Sequence, residues 1–284
     1  MKKGLLLCLF VLLLSCAPSF AQQSPPQPLA FWYEYTVQPG KEDQFLELVK
    51  TVGQPVRDKL MAEGVVLAWG LEVPLLRMPG GATHVIWYAV SDWSGIEKVD
   101  TAMRAQIAKL NEEAGKSAMG KKGTSASGSV TSRLPEIVDA SKTRDYLTRD
   151  LVIGLSQNAP TGMLPYQRYN FVKVKPGKAA EYRKAWEKYN KPILDKLLAD
   201  GVILAYGLAV EELRTDADFT HFTWYDMKDL ASMDKVRAAF VADRDHRSQE
   251  EQDAITNLFV SLQDVDASRS SMGRSLIFHV GGMK

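Results

Sequence analysis

The chain has 284 residues, with 35 basic and 34 acidic residues and a formal net charge of +1. This balance provides neither the counterion release that drives nucleic-acid binding nor a basic attraction to anionic lipid. Both cysteines, Cys8 and Cys16, lie near the amino terminus, so the rest of the chain has no thiol for a disulfide, a nucleophile or a metal site. We therefore expect no nucleic-acid partner and no cysteine chemistry.

The first residues have the pattern of a signal peptide. Two lysines precede an apolar run, Leu5 to Leu14, that is too short to span a bilayer. Small residues at the two positions that a signal peptidase inspects predict cleavage after Ala21. The alternative is a lipid anchor, because Leu13-Leu14-Ser15-Cys16 resembles a bacterial lipobox and would make Cys16 the lipidated first residue. We expect a signal peptide over 1–21 and an exported protein, periplasmic or secreted, with no membrane span.

An internal repeat organises the rest of the sequence. Pro39-Gly40-Lys41 recurs as Pro176-Gly177-Lys178, an offset of 137 residues (176 minus 39). The same offset relates the segment Gly64 to Leu71 to the segment Gly201 to Leu208 without a gap. From Phe31 to Ala105, roughly a third of the positions are identical to their partners. The chain is therefore a tandem duplication.

The repeat sets the domain boundaries. Residues 22–30 form a linker, 31–156 the first repeat, 157–164 a second linker and 165–284 the second repeat. The first repeat carries a Gly-, Ser- and Lys-rich stretch over 114–132, which predicts a flexible surface loop.

Each repeat begins with a strand and a long helix. Phe31 to Val37 is aromatic and β-branched, and Pro39-Gly40 ends this strand as a turn. Apolar residues spaced by three and four then predict an amphipathic helix from Lys41 to Leu60. Gly64 stands where a C-terminal cap is expected. Pro55 falls inside the helix and should kink or interrupt it, as should its counterpart in the second repeat.

The remainder of each repeat predicts two strands, a helix and a last strand. In the first repeat these are strands Val65–Val73 and Thr83–Val90, a helix from near Asp92 and a strand Leu151–Leu155. The second repeat ends in the strand Leu276–Val280. The order strand, helix, strand, strand, helix, strand is the split βαβ arrangement, with four antiparallel strands under two helices.

The second strand is apolar on both faces. Val65, Leu67 and Trp69 alternate with Val66 and Ala68, which indicates that the face away from the helices is also buried. The other repeat is the obvious cover for that face.

These features resemble the dimeric α/β-barrel superfamily, which includes small monooxygenases, NIPSNAP-like domains and haem-dependent chlorite dismutases. The Pro-Gly-Lys turn, the long helix and the paired copies carry the resemblance, which is nearest to NIPSNAP-like and antibiotic-biosynthesis-monooxygenase-like domains. The resemblance implies an α+β fold in which two tandem ferredoxin-like βαββαβ domains pack sheet to sheet as an intramolecular barrel. It also implies a ligand pocket on the barrel side, but the short signature marks a fold and not an activity.

Histidine and aromatic residues on the strands are the candidate ligand-binding residues. Imidazole exchanges protons near neutral pH, indole and phenol groups can orient a small ligand, and a carboxylate on a buried strand is a candidate base. The alternatives are core packing for the repeated His and aromatic residues, and solvation at the barrel edge for the carboxylate. The candidates are Glu34, His84, Trp87, Tyr88, His221, Trp224, Tyr225 and His279. No residue is assigned a catalytic role.

No cofactor is predicted, and haem is the alternative. In chlorite dismutases the haem-ligating histidine belongs to the C-terminal copy, so the resemblance implies His221 or His279 as haem ligands. His246 lies in a charged run typical of a solvated helix face. We therefore expect no metal site.

The leading functional hypothesis is an exported protein that binds a small apolar or aromatic molecule between the sheets, with cofactor-independent monooxygenase-like oxidation. The alternative is a non-catalytic envelope or interaction protein with a filled barrel. A pocket of a few hundred cubic ångströms would favour the first hypothesis.

Overall fold

A computed structural model describes residues 27–77, 81–120, 129–156, 162–215 and 218–281, without the side chains of 117–120. The predicted signal peptide and both cysteines lie outside the described residues. Eight strands in the described part of the chain form a closed antiparallel barrel. They are β1 Leu29–Tyr35, β2 Val66–Pro74, β3 His84–Val90, β4 Arg144–Leu155, β5 Tyr166–Val174, β6 Ile203–Glu211, β7 His221–Met227 and β8 Gln263–Val280.

Two four-stranded sheets join edge to edge to close the barrel. The first repeat contributes β4-β1-β3-β2 and the second contributes β8-β5-β7-β6. The last strand of each repeat also pairs with the other repeat, β8 with β2 and β4 with β6. The predicted tandem ferredoxin-like fold is therefore confirmed, and closure leaves no sheet edge unpaired in the barrel.

Helices cover the outside of each sheet. They are α1 Glu42–Leu48, α2 Gln54–Ala62, α3 Trp93–Gly120, α4 Val130–Ile137, α5 Ala179–Tyr189, α6 Lys191–Ala199, α7 Ser232–Asp245 and α8 Gln249–Leu262. A π-helical turn separates α1 from α2, and Pro55 stands in the first turn of α2. The predicted interruption is thus present, because proline is tolerated where the first helical N–H groups have no partner. The equivalent break in the second repeat falls between α5 and α6.

Glycine ends the interrupted helix in both repeats, as predicted. Gly64 and Gly201 have φ angles of 74° and 66°, in the left-handed region that favours glycine. Each directs the chain from the helix into the second strand of its repeat.

The described residues form three apolar clusters. One lies between the first sheet and its helices and another lies between the second sheet and its helices. The third lies inside the barrel, where aromatic residues such as Trp32, Tyr169 and Phe222 meet across the repeats. Both faces of each sheet are therefore buried, which explains why the strands are apolar at odd and even positions alike.

Two predicted features differ from the structure. The predicted loop over 114–132 is helical at its described ends, because α3 continues through Gly120 and α4 begins at Val130. Alanines and oppositely charged pairs such as Lys116 with Glu112, 2.5 Å apart, support this extension. The last strands are also longer than predicted: β4 has 12 residues and β8 has 18, since β8 must pair with both β5 and β2.

In the described residues, no helix is both long enough and apolar enough to cross a membrane.

Candidate functional site

A cavity of about 400 Å³ occupies one end of the barrel interior. Nearly all of its wall is aliphatic or aromatic, and both repeats contribute to it. Small side chains at repeat-equivalent positions, Ala68 and Ala205, leave part of this space open. The wall also includes Ala30, Trp32, Leu67, Trp87, Ala89, Ile153, Leu155, Tyr169, Trp224, Asp226, Phe278 and Val280. We call this space the apolar cavity.

Two repeat-equivalent indoles sit beside the apolar cavity and bond to buried acids. Trp87 Nε1 donates to Glu72 at 2.5 Å, and Trp224 Nε1 donates to Asp150 at 2.9 Å. Each indole lies over a glycine of the neighbouring strand, Trp87 over Gly70 and Trp224 over Gly207, which are also repeat equivalents. A Cβ atom at Gly70 would lie 2.9 Å from Trp87 Nε1, so only glycine leaves room for this packing.

The two acids do not occupy equivalent positions. Glu72 on β2 faces Ser275 on β8, whereas Asp150 on β4 faces Ala209 on β6. Trp87 therefore bonds to an acid of its own repeat, whereas Trp224 bonds to an acid of the other repeat. Burial raises the pKa of Glu72 to about 7 and that of Asp150 to about 7, against the opposing effect of their indole hydrogen bonds.

A phenol and an indole separate the apolar cavity from the opposite end of the barrel. The Tyr169 hydroxyl lies 2.8 Å and 3.0 Å from the two carboxyl oxygens of Glu72. Its repeat equivalent, Trp32, donates Nε1 to Thr148 Oγ1 at 2.9 Å. These hydrogen bonds hold both rings across the barrel interior, and both rings also line the apolar cavity.

Asp226 is the unusual group of this wall. It is buried, it lines the apolar cavity, and its carboxyl has no hydrogen-bond donor or cation among the described residues. Burial, and then the nearby charge of Glu72, raise the pKa of Asp226 well above its usual range. Burial therefore favours the protonated, neutral form of this carboxyl group, which faces open apolar space.

The opposite end of the barrel is polar. A pocket of about 640 Å³ opens there, lined by charged, hydroxyl and apolar residues. Glu34 belongs to this end: it pairs with Arg144 at 2.9 Å and accepts from the Tyr146 hydroxyl at 3.2 Å. The negative charge of the Glu34 carboxylate is therefore balanced by Arg144, and Glu34 lies away from the apolar cavity. We call this end the polar mouth.

The structure separates the eight predicted ligand-binding residues. Glu34, Trp87 and Trp224 point into the barrel. Strand alternation places the other five on the outer face, beneath or beside the helices, so the expectation that they line the space between the sheets is wrong. These five are His84, Tyr88, His221, Tyr225 and His279.

The repeated histidines pack under the helices. His84 lies 4.9 Å from the Phe45 ring and within 3.0 Å of the Thr83 hydroxyl. His221 lies 5.4 Å from the Tyr182 ring, and burial lowers its pKa to about 4, so it stays neutral at physiological pH. Tyr88 and Tyr225 belong to the two outer apolar clusters.

His279 lies on the outer face of β8. Its ring stacks on Trp69 at 5.0 Å, and its Nδ1 lies 3.3 Å from the Asp58 carboxylate. This histidine therefore joins the last strand to the helix layer of the first repeat.

The described residues of the barrel interior do not fit haem. All four histidines are described, and none lines the apolar cavity. His221 is enclosed by the helix layer and His279 is already stacked on Trp69, so neither implied ligand reaches this space. The described part of the chain also contains no group of three His, Cys, Asp or Glu residues placed to hold a metal ion.

Sequence reasoning missed the acids of the interior: Glu72, Asp150 and Asp226. The sequence does contain an indication of these acids. Each is an acidic residue within or next to a predicted strand that is apolar on both faces. Repeat comparison also singles out two of them, since Glu72 corresponds to Ala209 and Asp226 to Ala89.

The arrangement of strands and helices is similar to that of solved proteins. A proposed monooxygenase from Fusobacterium nucleatum matches with a TM-score of 0.60 and 13% identity, over 91% of this chain and 97% of that one. A proposed monooxygenase from Lactobacillus acidophilus matches with a TM-score of 0.54 and 12% identity, over 90% and 97%. An anthrone oxidase-like protein matches with a TM-score of 0.50 and 11% identity, over 91% and 95%.

The chain has the dimeric α/β-barrel fold. At these identities the similarity concerns the fold alone. No protein-family profile and no curated protein matches the sequence.

Proposed function

We propose that the apolar cavity binds a small, mostly apolar or aromatic molecule. The observation that carries this proposal is a space of about 400 Å³ inside one end of the barrel, whose wall is apolar except for a few polar groups. Binding sites for small molecules have this size and composition. An interior filled by side chains, as expected for the alternative envelope or interaction role, would leave no such space.

Asp226 supplies the polar contact for the ligand. In its protonated form, which burial favours, Asp226 can donate a hydrogen bond to a carbonyl or phenolic oxygen, and it has no competing partner among the described residues. An anionic ligand group is disfavoured beside it, because Glu72 gains negative charge as the pH rises through about 7. The best ligand is therefore an aromatic molecule that carries one neutral oxygen.

Binding is tested with N-phenyl-1-naphthylamine, a neutral aromatic dye that fluoresces in apolar surroundings. Ala205→Phe places a ring inside the cavity and should reduce dye affinity at least tenfold, as should Ala68→Phe at the equivalent position. Ala238→Phe, on the exposed surface of α7, is the matched control and should bind the dye like the wild type. Equal dye binding by folded Ala205→Phe and wild-type protein would contradict a ligand site in this cavity.

A finer proposal is cofactor-independent oxidation of the bound molecule by dioxygen. The fold similarity to proposed monooxygenases and an anthrone oxidase-like protein favours this reaction. The ionised Asp226 carboxylate would take a proton from an acidic C–H group, and the carbanion would add to dioxygen to give a peroxide anion. Asp226 would return the proton to that anion, and loss of water from the hydroperoxide would give a ketone. Dioxygen is the oxidant, and no electron from a cofactor is needed.

This reaction is tested by dioxygen consumption with an anthrone, after subtraction of the protein-free rate. Asp226→Asn should lower the rate by roughly 10²–10⁴-fold, the usual contribution of a general base. Asp234→Asn is the control, because Asp234 lies on the exposed surface of α7 and does not line the cavity. The rate should rise with pH as more Asp226 becomes ionised. Oxidation at the protein-free rate, with dye binding intact, would reject the reaction and leave the binding proposal standing.

We also propose that the protein is exported, on the pattern of residues 1–21. Cell fractionation and mass measurement of the mature amino terminus test this. A chain that begins at Gln22 supports signal-peptide cleavage, whereas a membrane-bound form that Cys16→Ser releases supports the lipid anchor. The resemblance to NIPSNAP-like domains stays a prediction from the sequence.

A further inference from the structure

Arg269 is an unpaired cation at the polar mouth. It lines the 640 Å³ pocket there, and its Nε and Nη2 atoms are buried without a hydrogen-bond partner among the described residues. A buried donor that lacks an acceptor is costly, and such groups are uncommon in folded proteins. This cost is removed when a ligand supplies the acceptor.

The backbone directs this side chain into the barrel. Arg269 on β8 pairs with Phe171 on β5, so the two side chains share the inner face. The guanidinium lies 4.5 Å from the centre of the Phe171 ring. This cation–π contact holds the guanidinium at the ring and uses none of its N–H donors.

Two other arginines of this chain show what the same edge binds. Arg144 donates through Nε and Nη2 to Glu34 at 3.2 Å and 2.9 Å. Arg149 donates through Nε and Nη2 to Glu212 at 2.8 Å and 2.5 Å. Arg269 presents this pair of donors without a carboxylate. The Nε and Nη2 groups of a guanidinium match the two oxygens of a carboxylate in spacing and direction.

The charged residues around the pocket leave Arg269 without an ion-pair partner among the described residues. Glu34 is paired with Arg144, and Lys142 lies 3.2 Å from Asp139. Asp218 also lines the pocket, but it is exposed and makes no ion pair with a described residue. Apolar residues such as Pro74, Leu76 and Val85 complete the wall. The pocket wall therefore includes a guanidinium whose buried Nε and Nη2 donors have no partner among the described residues, beside an apolar surface.

We propose that the polar mouth binds a small organic carboxylate through the Nε and Nη2 groups of Arg269. The apolar part of the ligand contacts Phe171 and Val85. This site is separate from the apolar cavity, because Trp32 and Tyr169 lie between the two spaces. It does not depend on the proposed oxidation.

Calorimetric titration with benzoate tests the site, with benzyl alcohol as the neutral analogue. The wild type should bind benzoate at least tenfold more tightly than benzyl alcohol. Arg269→Gln should lose at least tenfold in benzoate affinity, since two charge-assisted hydrogen bonds disappear. Arg274→Gln is the matched control on the same strand, because Arg274 is exposed and is not part of the pocket wall. Asp218→Asn should strengthen benzoate binding by removing a nearby negative charge.

Two results would overturn the proposal: equal affinity of the wild type for benzoate and benzyl alcohol, or equal loss of benzoate affinity in Arg269→Gln and Arg274→Gln. If Arg269→Gln does not fold, Arg269→Lys retains the charge but loses the paired donors, and it should still weaken benzoate binding. The cavity-blocking Ala205→Phe should bind benzoate normally. This result separates failure of the carboxylate site from failure of the apolar cavity.

Discussion

At the scale of single residues, buried acids set how stability depends on pH. The folded-state pKa values of Glu72 and Asp150 are raised to about 7, and that of Asp226 is raised well above its usual range. The unfolded chain releases these protons near pH 4, whereas the folded chain keeps them. Their favourable contribution is therefore complete below about pH 4 and is lost as the pH rises through the folded-state values.

Asp226→Asn should remove part of this pH dependence. The amide cannot ionise, so the variant should match the wild type near pH 5 and exceed its free energy of unfolding at pH 9. The gain should increase as the pH rises through the folded-state pKa of Asp226. Urea unfolding at the two pH values measures it, with the exposed Asp234→Asn as the control. An unchanged slope of stability against pH in Asp226→Asn would contradict a buried, protonated Asp226.

A second prediction concerns Gly207, which packs against the indole ring of Trp224. A Cβ atom at Gly207 would lie 2.5 Å from Nε1 of Trp224, so the indole ring would have to shift to admit it. Gly207→Ala should lower the free energy of unfolding by about 1–3 kcal/mol, the usual cost of overpacking a core. It should also shift Trp224 away from Asp150, which tryptophan fluorescence would detect.

Gly115→Ala is the control for this substitution. Gly115 lies in helix α3 with nothing within 4 Å of an added Cβ atom, so alanine should stabilise the helix by up to about 1 kcal/mol. Equal effects at Gly207 and Gly115 would mean that the indole contact does not constrain the interior.

At the scale of elements, a repeated acid fixes the broken helix to the sheet. Asp58 on α2 accepts from Trp69 Nε1 at 2.9 Å, and Asp195 on α6 accepts from the Tyr206 hydroxyl. Both acids and both aromatic residues are repeat equivalents. Each helix segment after the proline break is thus joined to the second strand of its repeat.

Asp58→Ala should lower the free energy of unfolding by about 1–3 kcal/mol, because the buried indole N–H of Trp69 loses its acceptor. In a Trp69→Phe background the same substitution should cost much less, since no donor remains there. Urea unfolding of the four proteins of this double-mutant cycle gives the coupling. A coupling energy of zero would mean that Asp58 acts through His279 or Gln54 and not through Trp69.

The elements were largely predictable from the sequence because the duplication supplied each pattern twice. Pro55 and Gly64 marked where the first long helix breaks and ends, and both features were confirmed in the structure. The extension of α3 through Gly120 was missed because glycine, serine and lysine suggested a loop. The face of the sheet that each strand residue occupies was harder to predict. Trp87 and Tyr88 are neighbours with similar polarity, yet only Trp87 faces the interior.

The candidate site was less predictable than the fold. A strand that is apolar on both faces does not reveal which face lines a cavity, so five of the eight candidates lie outside the barrel. The acids that define the interior depend on pairing between distant strands, such as Glu72 with Ser275. Local pattern carries no information about such pairs.

At the scale of the whole molecule, each repeat completes the other. The last strand of each repeat lies between a strand of its own repeat and one of the other, and the Arg149–Glu212 ion pair, at 2.5 Å, bridges one seam. A separated repeat would expose two strand edges and the apolar interior to water. The two halves should therefore remain together even when the chain between them is cut.

A protease site inserted between Ser156 and Leu164 tests this interdependence. After complete cleavage the two fragments should elute together in size-exclusion chromatography, and they should separate only when urea unfolds both at once. Expressed alone, residues 27–156 should be insoluble or should pair with a second copy, because a closed barrel needs eight strands from two repeats. The uncut insertion variant is the control for changes caused by the added site. Two fragments that elute separately as folded monomers would show that the barrel is not one cooperative unit. The apolar cavity, whose wall draws on both repeats, would then lose its enclosure in each fragment.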